Sequence, residues 1–510
     1  MPFVLPIADP AGVFFVLLAL ILLSHFLTER LRLPALVGLI VAGALVGPAG
    51  LGLTAREAMV EHLGQVGLIY AFFLLGADVD LARLRKTRPI HLGYGALLAA
   101  LPFALAAPFL LKILGMKPLA ALALGLVLAS QSLLPLQAVQ KLGLGRSRAL
   151  LAAEGATTAT ELLRTFALGA LALSSRRGGT SLSWLEGFGI LAGFSLVLGI
   201  LLPRVAALFF KRAKANDTVE FVFVLALAFF CAYAGRLAGL EPFAGAFVAG
   251  LLLGRFFPER SSLEKRIRFL GDWIFIPVFL IALGMNLNLR SLALDWKAAV
   301  LGLCLTAIVL LSKFLGTLLL KPLSGFSWNE VGLAFGLTTS QAASAIATAA
   351  VAFGVGAIDE TGLAAAVLAS VATSLAGPLI ARLAGARLAL AEAQGPGTER
   401  EVPERIMVGL SNPARLDNLL DLALMFRRRT STEAVIPVAI VPESEDNEVE
   451  LSKAEAILAK AIVRGNEAGV SIAPVTTLSV SVAEGMRQTA LDKGATTIIL
   501  GWSRAPRFSR

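Results

Sequence analysis

The chain has 510 residues, of which 57% are hydrophobic and only 16% charged, and its mean hydropathy is +0.79. Soluble domains carry about 25% charged residues, so the composition excludes a soluble globular protein and describes a polytopic membrane protein. The net charge of +10 does not point to a nucleic-acid partner, because many basic residues lie in short loops between apolar stretches.

The N-terminus, MPFVLPIADPAG, has neither a basic n-region nor a small-residue cleavage site, so no signal peptide is expected. Thirteen stretches then read as helical membrane spans: 13–30, 34–52, 62–76, 89–113, 117–141, 148–174, 186–210, 219–238, 241–256, 267–287, 297–320, 330–355 and 361–384. With the N-terminus outside, the cytoplasmic loops hold the basic clusters around Arg30, Arg83–Arg88, Lys141–Arg148, Lys211–Lys214 and Arg255–Arg268, whereas the outer loops hold scattered residues such as Arg56 and Lys112. The positive-inside rule therefore favours an outer N-terminus, and an odd number of spans places the C-terminal tail in the cytoplasm. Cys231 and Cys304 sit inside apolar stretches and read as small core residues, not as a disulfide. His25, His62 and His91 show no metal-ligand spacing.

Four stretches carry polar residues where lipid would exclude them. The fifth contains LASQSLLPLQAV, with Ser130, Gln131, Ser132 and Pro135 in its middle. The sixth carries Glu161, with Glu154 two turns before it on the same face, Arg164 one turn after it, and Thr157, Thr158, Thr160 and Thr165 around it. A carboxyl at mid-membrane costs about 3 kcal/mol on insertion scales, so it marks a proton or ion pathway. The competing reading is a neutralised Glu161–Arg164 pair at i, i+3 that only joins helices. The eleventh stretch sets Lys313 within an apolar run, where a lysine is paired, deprotonated or facing water. The twelfth contains GLTTSQAASAIATAAVAFG, with Thr338, Thr339, Ser340, Gln341 and Ser344. The fifth and twelfth stretches read as broken helices whose half-helix ends face an ion; interhelical hydrogen bonding alone would also explain them. Spans four to six and eleven to thirteen lie seven crossings apart, the arithmetic of an inverted repeat.

After residue 390 the composition changes. A Gly/Pro/charged linker (391–403) leads to strand–helix alternation over 404–510, with strands in RIMVGLS, AVIPVAIVPES, VSIAPVTTLS and ATTIILGWSR and helices between them. That order implies an α/β unit with a parallel sheet.

The motifs RLRLPALVGLIVAGALVGPAGLGL (30–53), LGQVGLIYAFFLLGADVDLARLRK (63–86), GRLAGLEPFAGAFVAGLLLGR (235–255) and FLGDWIFIPVFLIALGMNLNL (269–289) resemble the cation:proton antiporter-2 family of bacterial sodium/proton and potassium/proton exchangers. The resemblance implies residues 1–390 form an inverted-repeat antiporter with two crossed broken helices, in a homodimer in the bacterial inner membrane, with no enzymatic activity. Such families typically carry Ser-Ser-Thr or Ala-Thr-Ala-like residues at the first break, where this chain has Ser130-Gln131-Ser132, and an acid pair such as Asp-Asp, Asn-Asp or Gln-Asp on the next helix. Counting without gaps from SQSLLPLQ places that pair on Thr160 and Glu161; counting from Gly145 places it on Gly155 and Ala156 and leaves no carrier. The first alignment explains an otherwise unexplained carboxyl. It makes Glu161 the carrier of Na+ or K+ and of the proton, Lys313 its electrostatic partner, Glu154 an entrance acid, and Thr338, Thr339, Ser340 and Gln341 the facing cage. Asp78 and Asp80 match the acidic end of the third-span motif and read as structural caps. A single carboxylate implies one-for-one, electroneutral exchange. Two further readings stay open: a gated potassium efflux pathway, and a degenerate transporter acting as an ion sensor.

The tail resembles the universal stress protein domain. There a glycine loop after the last of these strands holds the phosphates of an adenine nucleotide; here the candidate loop is Gly501-Trp502-Ser503-Arg504, so Gly501 and Ser503 remain but Arg504 stands at the second glycine, and Ser411 replaces the first-strand aspartate. A backbone-built phosphate site needs glycine for close approach, so these departures argue against nucleotide binding.

Overall fold

In lipid only a helix or a closed barrel satisfies every backbone N–H and C=O internally, and helices occupy each of the thirteen apolar stretches. The computed structural model describes residues 9–31, 33–52, 58–79, 89–145, 147–177, 181–212, 217–257, 261–287, 296–394, 405–410, 416–427, 433–442, 447–479 and 482–501. They divide into two units, Met1–Ala393 and Gln394–Arg510.

The first unit is all helical. In chain order its helices are α1 (Pro10–Leu31), α2 (Ala35–Val46), α3 (Ala58–Ala77), α4 (Pro89–Pro108, continued by a π turn), α5 (Pro118–Ala129), α6 (Leu136–Lys141), α7 (Arg148–Arg176), α8 (Ser181–Arg212), α9 (Asp217–Leu237), α10 (Pro242–Leu253), α11 (Ser262–Leu270), α12 (Ile276–Met285), α13 (Trp296–Ser324), α14 (Trp328–Thr339), α15 (Ala343–Gly354) and α16 (Glu360–Gln394). Among the described residues eight helical segments are long and apolar enough to cross a membrane by themselves. The α7 helix has 29 residues but is too polar to be one of them. The final helix runs to Gln394, ten residues beyond the expected end, because nothing after 384 breaks it before Gly395-Pro396.

Two stretches are interrupted as expected. The fifth splits into α5 and α6 around Ser130–Pro135, and the twelfth into α14 and α15 around Ser340–Ala342. Pro135 explains the first break: it lacks an amide donor, and its ring would clash with the carbonyl four residues back, that of Gln131. The second has no proline and is held by its neighbours. The amide of Ser132 donates to the carbonyl of Ser340 at 2.7 Å, tying one break to the other. Gly377 of α16 presses against the same point: a Cβ there would sit 2.1 Å from Ser340 Oγ and 2.7 Å from Ser340 N.

The helices pack in two groups. One is built on α2, α3, α9, α10 and α12, with α2 against α12 and α3 against α10. Small residues allow the approach; a Cβ on Gly43 would lie 2.2 Å from the carbonyl oxygen of Ile281, and one on Gly284 2.2 Å from that of Ile40. The other comprises α4, α5, α7, α13, α14 and α15, with α7 against α4, α5 and α14. The breaks and most buried polar side chains belong to this second group.

The second unit is a four-stranded parallel sheet of β1 (Ile406–Gly409), β2 (Ile436–Pro442), β3 (Val475–Ser479) and β4 (Thr497–Leu500), in the order β3-β2-β1-β4. Successive strand residues face opposite sides. Ile406 and Val408 pack with α17 (Leu416–Phe426) and α18 (Asn447–Glu467), while Met407 packs with Met486 of α19 (Val482–Lys493). The third strand starts at Val475, not near 470: Ile472 forms only an isolated bridge to Val435, and Pro474 has no N–H to extend the ladder. Gly501 follows β4; Ser503, Arg504 and Ser411 lie outside the described residues.

Candidate ion site at the crossing of two broken helices

The last carbonyls of a helix have no amide partners within it, and at mid-membrane no water replaces them. The α5 half-helix ends there, and two buried side chains cap it. Gln341 Nε2 donates to Val127 O at 3.2 Å and Leu128 O at 3.3 Å. Lys313 Nζ, from the fully buried middle of α13, donates to Ala129 O at 3.1 Å, Gln131 Oε1 at 3.2 Å and Leu98 O at 3.5 Å. A cation at a helix C-terminus also meets the negative end of the macrodipole. Gln341 is anchored in turn, its Oε1 accepting from Ser370 and Thr373 of α16, each at 3.3 Å.

Glu161 lies on α7 beside this junction and is 4% exposed. Its Oε1 accepts from the Gln131 amide at 3.0 Å and from Ser130 Oγ at 3.2 Å. Ser130 Oγ is 2.9 Å from Ser344 Oγ, which stands on the first turn of α15. Its Oε2 is held by Arg164, whose Nε lies at 3.2 Å and whose Nη2 forms a short ion pair. The other end of the same guanidinium, Nη1, donates to Thr348 of α15. The Arg164 side chain is fully buried.

The structure thus brings together Ser130, Gln131, Glu161, Lys313 and Gln341 from the residues singled out in the sequence, with Lys313 close to Glu161 but not in an ion pair with it. The ion-pair partner of Glu161 is Arg164; Gln131 stands between Glu161 and Lys313, taking Lys313 on its side-chain oxygen and giving its backbone amide to Glu161. At i+3 on one helix Arg164 is already adjacent to Glu161, whereas Lys313 is engaged with the α5 terminus. Other candidates stand at the edge. Thr160 Oγ1 donates to Gly95 O at 2.8 Å, joining α7 to α4. Ser132 and Ser340 meet through their backbones, and Ser340 Oγ and Gln131 Nε2 have no hydrogen-bond partner among the described residues. Thr338 and Thr339 bond back to carbonyls of their own helix at 2.9 and 2.7 Å. Glu154 is half-buried. Asp78 pairs with Arg268 at 2.5 Å, while Asp80 lies outside the described residues. Ser344 was visible in the sequence without a role, and Thr348 was missed; their i, i+4 spacing after Gln341, on a helix starting at a break, is the signal that points to them.

Around Glu161 the oxygens of Ser130 and Ser344 are hard ligands of the kind an alkali cation takes. Among the described residues no group of three or more His, Cys, Asp or Glu could hold a metal ion. A cavity of about 650 Å³ lies between the two helix groups, lined by Glu61, Gln65, Arg176, Glu241 and Asn286 and by Ala350, Val351 and Phe353 to Val355 at the end of α15. Its α15 wall begins half a turn beyond Thr348. Arg176 of α7 and Glu241 at the start of α10 form a 2.5 Å ion pair on its rim.

Comparison with known proteins agrees with this architecture. The Na(+)/H(+) antiporter NhaS5 of Synechocystis sp. is 28% identical over 527 aligned positions, covering 98% of this chain and 75% of that protein. The Na(+)/H(+)-K(+) antiporter GerN of Bacillus cereus is 27% identical over 322 positions, 61% of this chain and 81% of that one. The structure of the sodium proton antiporter MjNhaP1 from Methanocaldococcus jannaschii shares the fold, with a TM-score of 0.59 at 17% identity over 74% of this chain and 99% of that one. The family described as "Sodium/hydrogen exchanger, transmembrane" matches residues 14–385, and the chain belongs to that family of polytopic membrane antiporters.

Proposed function

We propose that the chain exchanges a monovalent cation, Na+ or K+, for protons by alternating access, with Glu161 as the shared carrier of cation and proton. One observation carries the assignment: a single buried carboxylate meets the unwound segment of one broken helix and, through Ser130 and Ser344, the first turn of the second. A carboxylate there is deprotonated when it takes a cation and neutral when it takes a proton, so the two cargoes exclude each other. With one such group the exchange is one-for-one and electroneutral. Lys313 and Gln341 hold the α5 terminus, Gln131 and Ser130 orient the carboxylate, and Glu154 lies on the opposite approach from the α15 end of the site.

In this reading the protein crosses the membrane thirteen times with its N-terminus outside, works as a homodimer in the bacterial inner membrane, and carries a cytoplasmic regulatory unit resembling the universal stress protein domain. The departures at Ser411 and Arg504 speak against an adenine nucleotide there.

The test is proton flux in proteoliposomes on adding sodium, then potassium, for wild type and Glu161→Gln. Cation-driven flux that vanishes in the variant is expected. Flux that survives would remove Glu161 from the role and turn attention to Glu154. One observation favours a second reading, a transporter-like ion sensor: the Glu161 carboxylate is already engaged by Arg164. That reading requires no flux in wild type with either cation.

A further inference from the structure

Arg164 is the residue that the exchange mechanism above leaves unused. Its side chain is fully buried at a place where charge is costly, yet no cargo needs a second cation beside the carboxylate. Its geometry is divided between two elements: Nε and Nη2 hold Glu161 Oε2 on α7, and Nη1 holds Thr348 on α15. The other carboxylate oxygen, Oε1, faces Ser130, whose hydroxyl meets Ser344 one helical turn before Thr348. The guanidinium thus shares the Glu161 carboxylate with the space an alkali cation would use, and its other end holds the hydroxyl one turn further along α15.

We propose that Arg164 is a tethered competitor of the transported cation. Between turnovers it neutralises Glu161 in place of cargo. An arriving Na+ or K+ takes the carboxylate together with Ser130 and Ser344, and the guanidinium withdraws onto Thr348, which remains bonded to it throughout. The cation therefore displaces a charge built into the protein, and the concentration needed for half-saturation is set by that competition. This inference rests on Glu161 being the carrier. It differs from a merely structural i, i+3 pair, because a staple has no reason to change apparent affinity in opposite directions when its two ends are cut separately.

The experiment measures the half-saturating Na+ and K+ concentrations for proton flux in proteoliposomes at fixed pH, for wild type, Arg164→Gln, Thr348→Val and Glu161→Gln. Removing the competitor in Arg164→Gln is expected to lower half-saturation by about tenfold, within the ~5–150-fold range of typical coupling between ligands. Removing the landing place in Thr348→Val, nearly isosteric, is expected to raise it by about threefold or more. Shifts of the two variants in the same direction, an unchanged half-saturation in both, or loss of all flux in a folded Arg164→Gln would overturn the proposal. If Arg164→Gln does not fold, Thr348→Val decides: a rise supports the competition and an unchanged or lowered value ends it. Surviving flux in Glu161→Gln instead refutes the carrier assignment, so failure of the two ideas is told apart in one set of measurements.

Discussion

Replacing Lys313 by Met keeps the length and apolar bulk of the side chain and removes its donors. The structure sets the cost. Ala129 O and Gln131 Oε1 lose the donors that reach them at 3.1 and 3.2 Å, and each buried acceptor left unpaired costs about 1–3 kcal/mol. The α5 C-terminus also loses a cation worth up to about 2 kcal/mol in a buried setting. Against this, methionine does not carry the desolvation penalty of a buried ammonium, which is several kcal/mol. The losses, about 2–8 kcal/mol in all, and this relief largely offset each other, so the coupling to Gln131 is the deciding quantity. The assay is unfolding of the purified protein in detergent, read for wild type, Lys313→Met, Gln131→Leu and the double variant. Because the two side chains share one hydrogen bond, the cycle should show a coupling of about 0.5–3 kcal/mol. Strict additivity would refute the claim that Lys313 caps the broken helix through Gln131. Such a result would return Lys313 to the role of a direct partner of Glu161.

Three further perturbations probe other parts of the account. Gly377→Ala places a Cβ 2.1 Å from Ser340 Oγ and 2.7 Å from Ser340 N, so it should cost about 1–3 kcal/mol by overpacking; adding Ser340→Ala should not restore transport, because the backbone clash remains, and full restoration would count against it. Glu330 accepts the Ser327 amide at 2.8 Å in a capping box at the start of α14 and also meets Arg148, so Glu330→Ala should lower thermal stability by about 1–2 kcal/mol. Arg148→Ala should cost less, since that side chain is 64% exposed and exposed ion pairs contribute little; equal costs would contradict this. With the two native cysteines replaced, a cysteine at Ala350 on the cavity wall should react in intact cells with a membrane-impermeant thiol reagent, and labelling only from the cytoplasmic side would reverse the proposed orientation.

What could be read from the chain divides along physical lines. Helix positions were legible because apolar runs leave the backbone one internally satisfied option in lipid, and the first break because Pro135 forbids continuation. The second break was legible only as a cluster of polar residues; what holds it, the Ser132–Ser340 bond and Gly377, comes from elements far apart in sequence. The importance of Glu161 followed from the cost of a carboxyl at that depth, and its i+3 neighbour Arg164 was visible beside it. The choice between Arg164 and Lys313 was not, because it depends on how α13 docks against the α5 terminus. Thr348 escaped notice for a simpler reason: a lone threonine in an alanine-rich helix looks like packing until the guanidinium of another helix is found on it.

The central claim is that Glu161 binds cation and proton in turn. The direct measurement is proton release from the purified protein in detergent when Na+ or K+ is added, compared between wild type and Glu161→Gln. The account predicts saturable release of at most one proton for each cation bound in wild type, fewer where Arg164 and not a proton holds the carboxylate, and none in the variant. Release that persists in Glu161→Gln, or release of more than one proton for each cation bound in wild type, would contradict it.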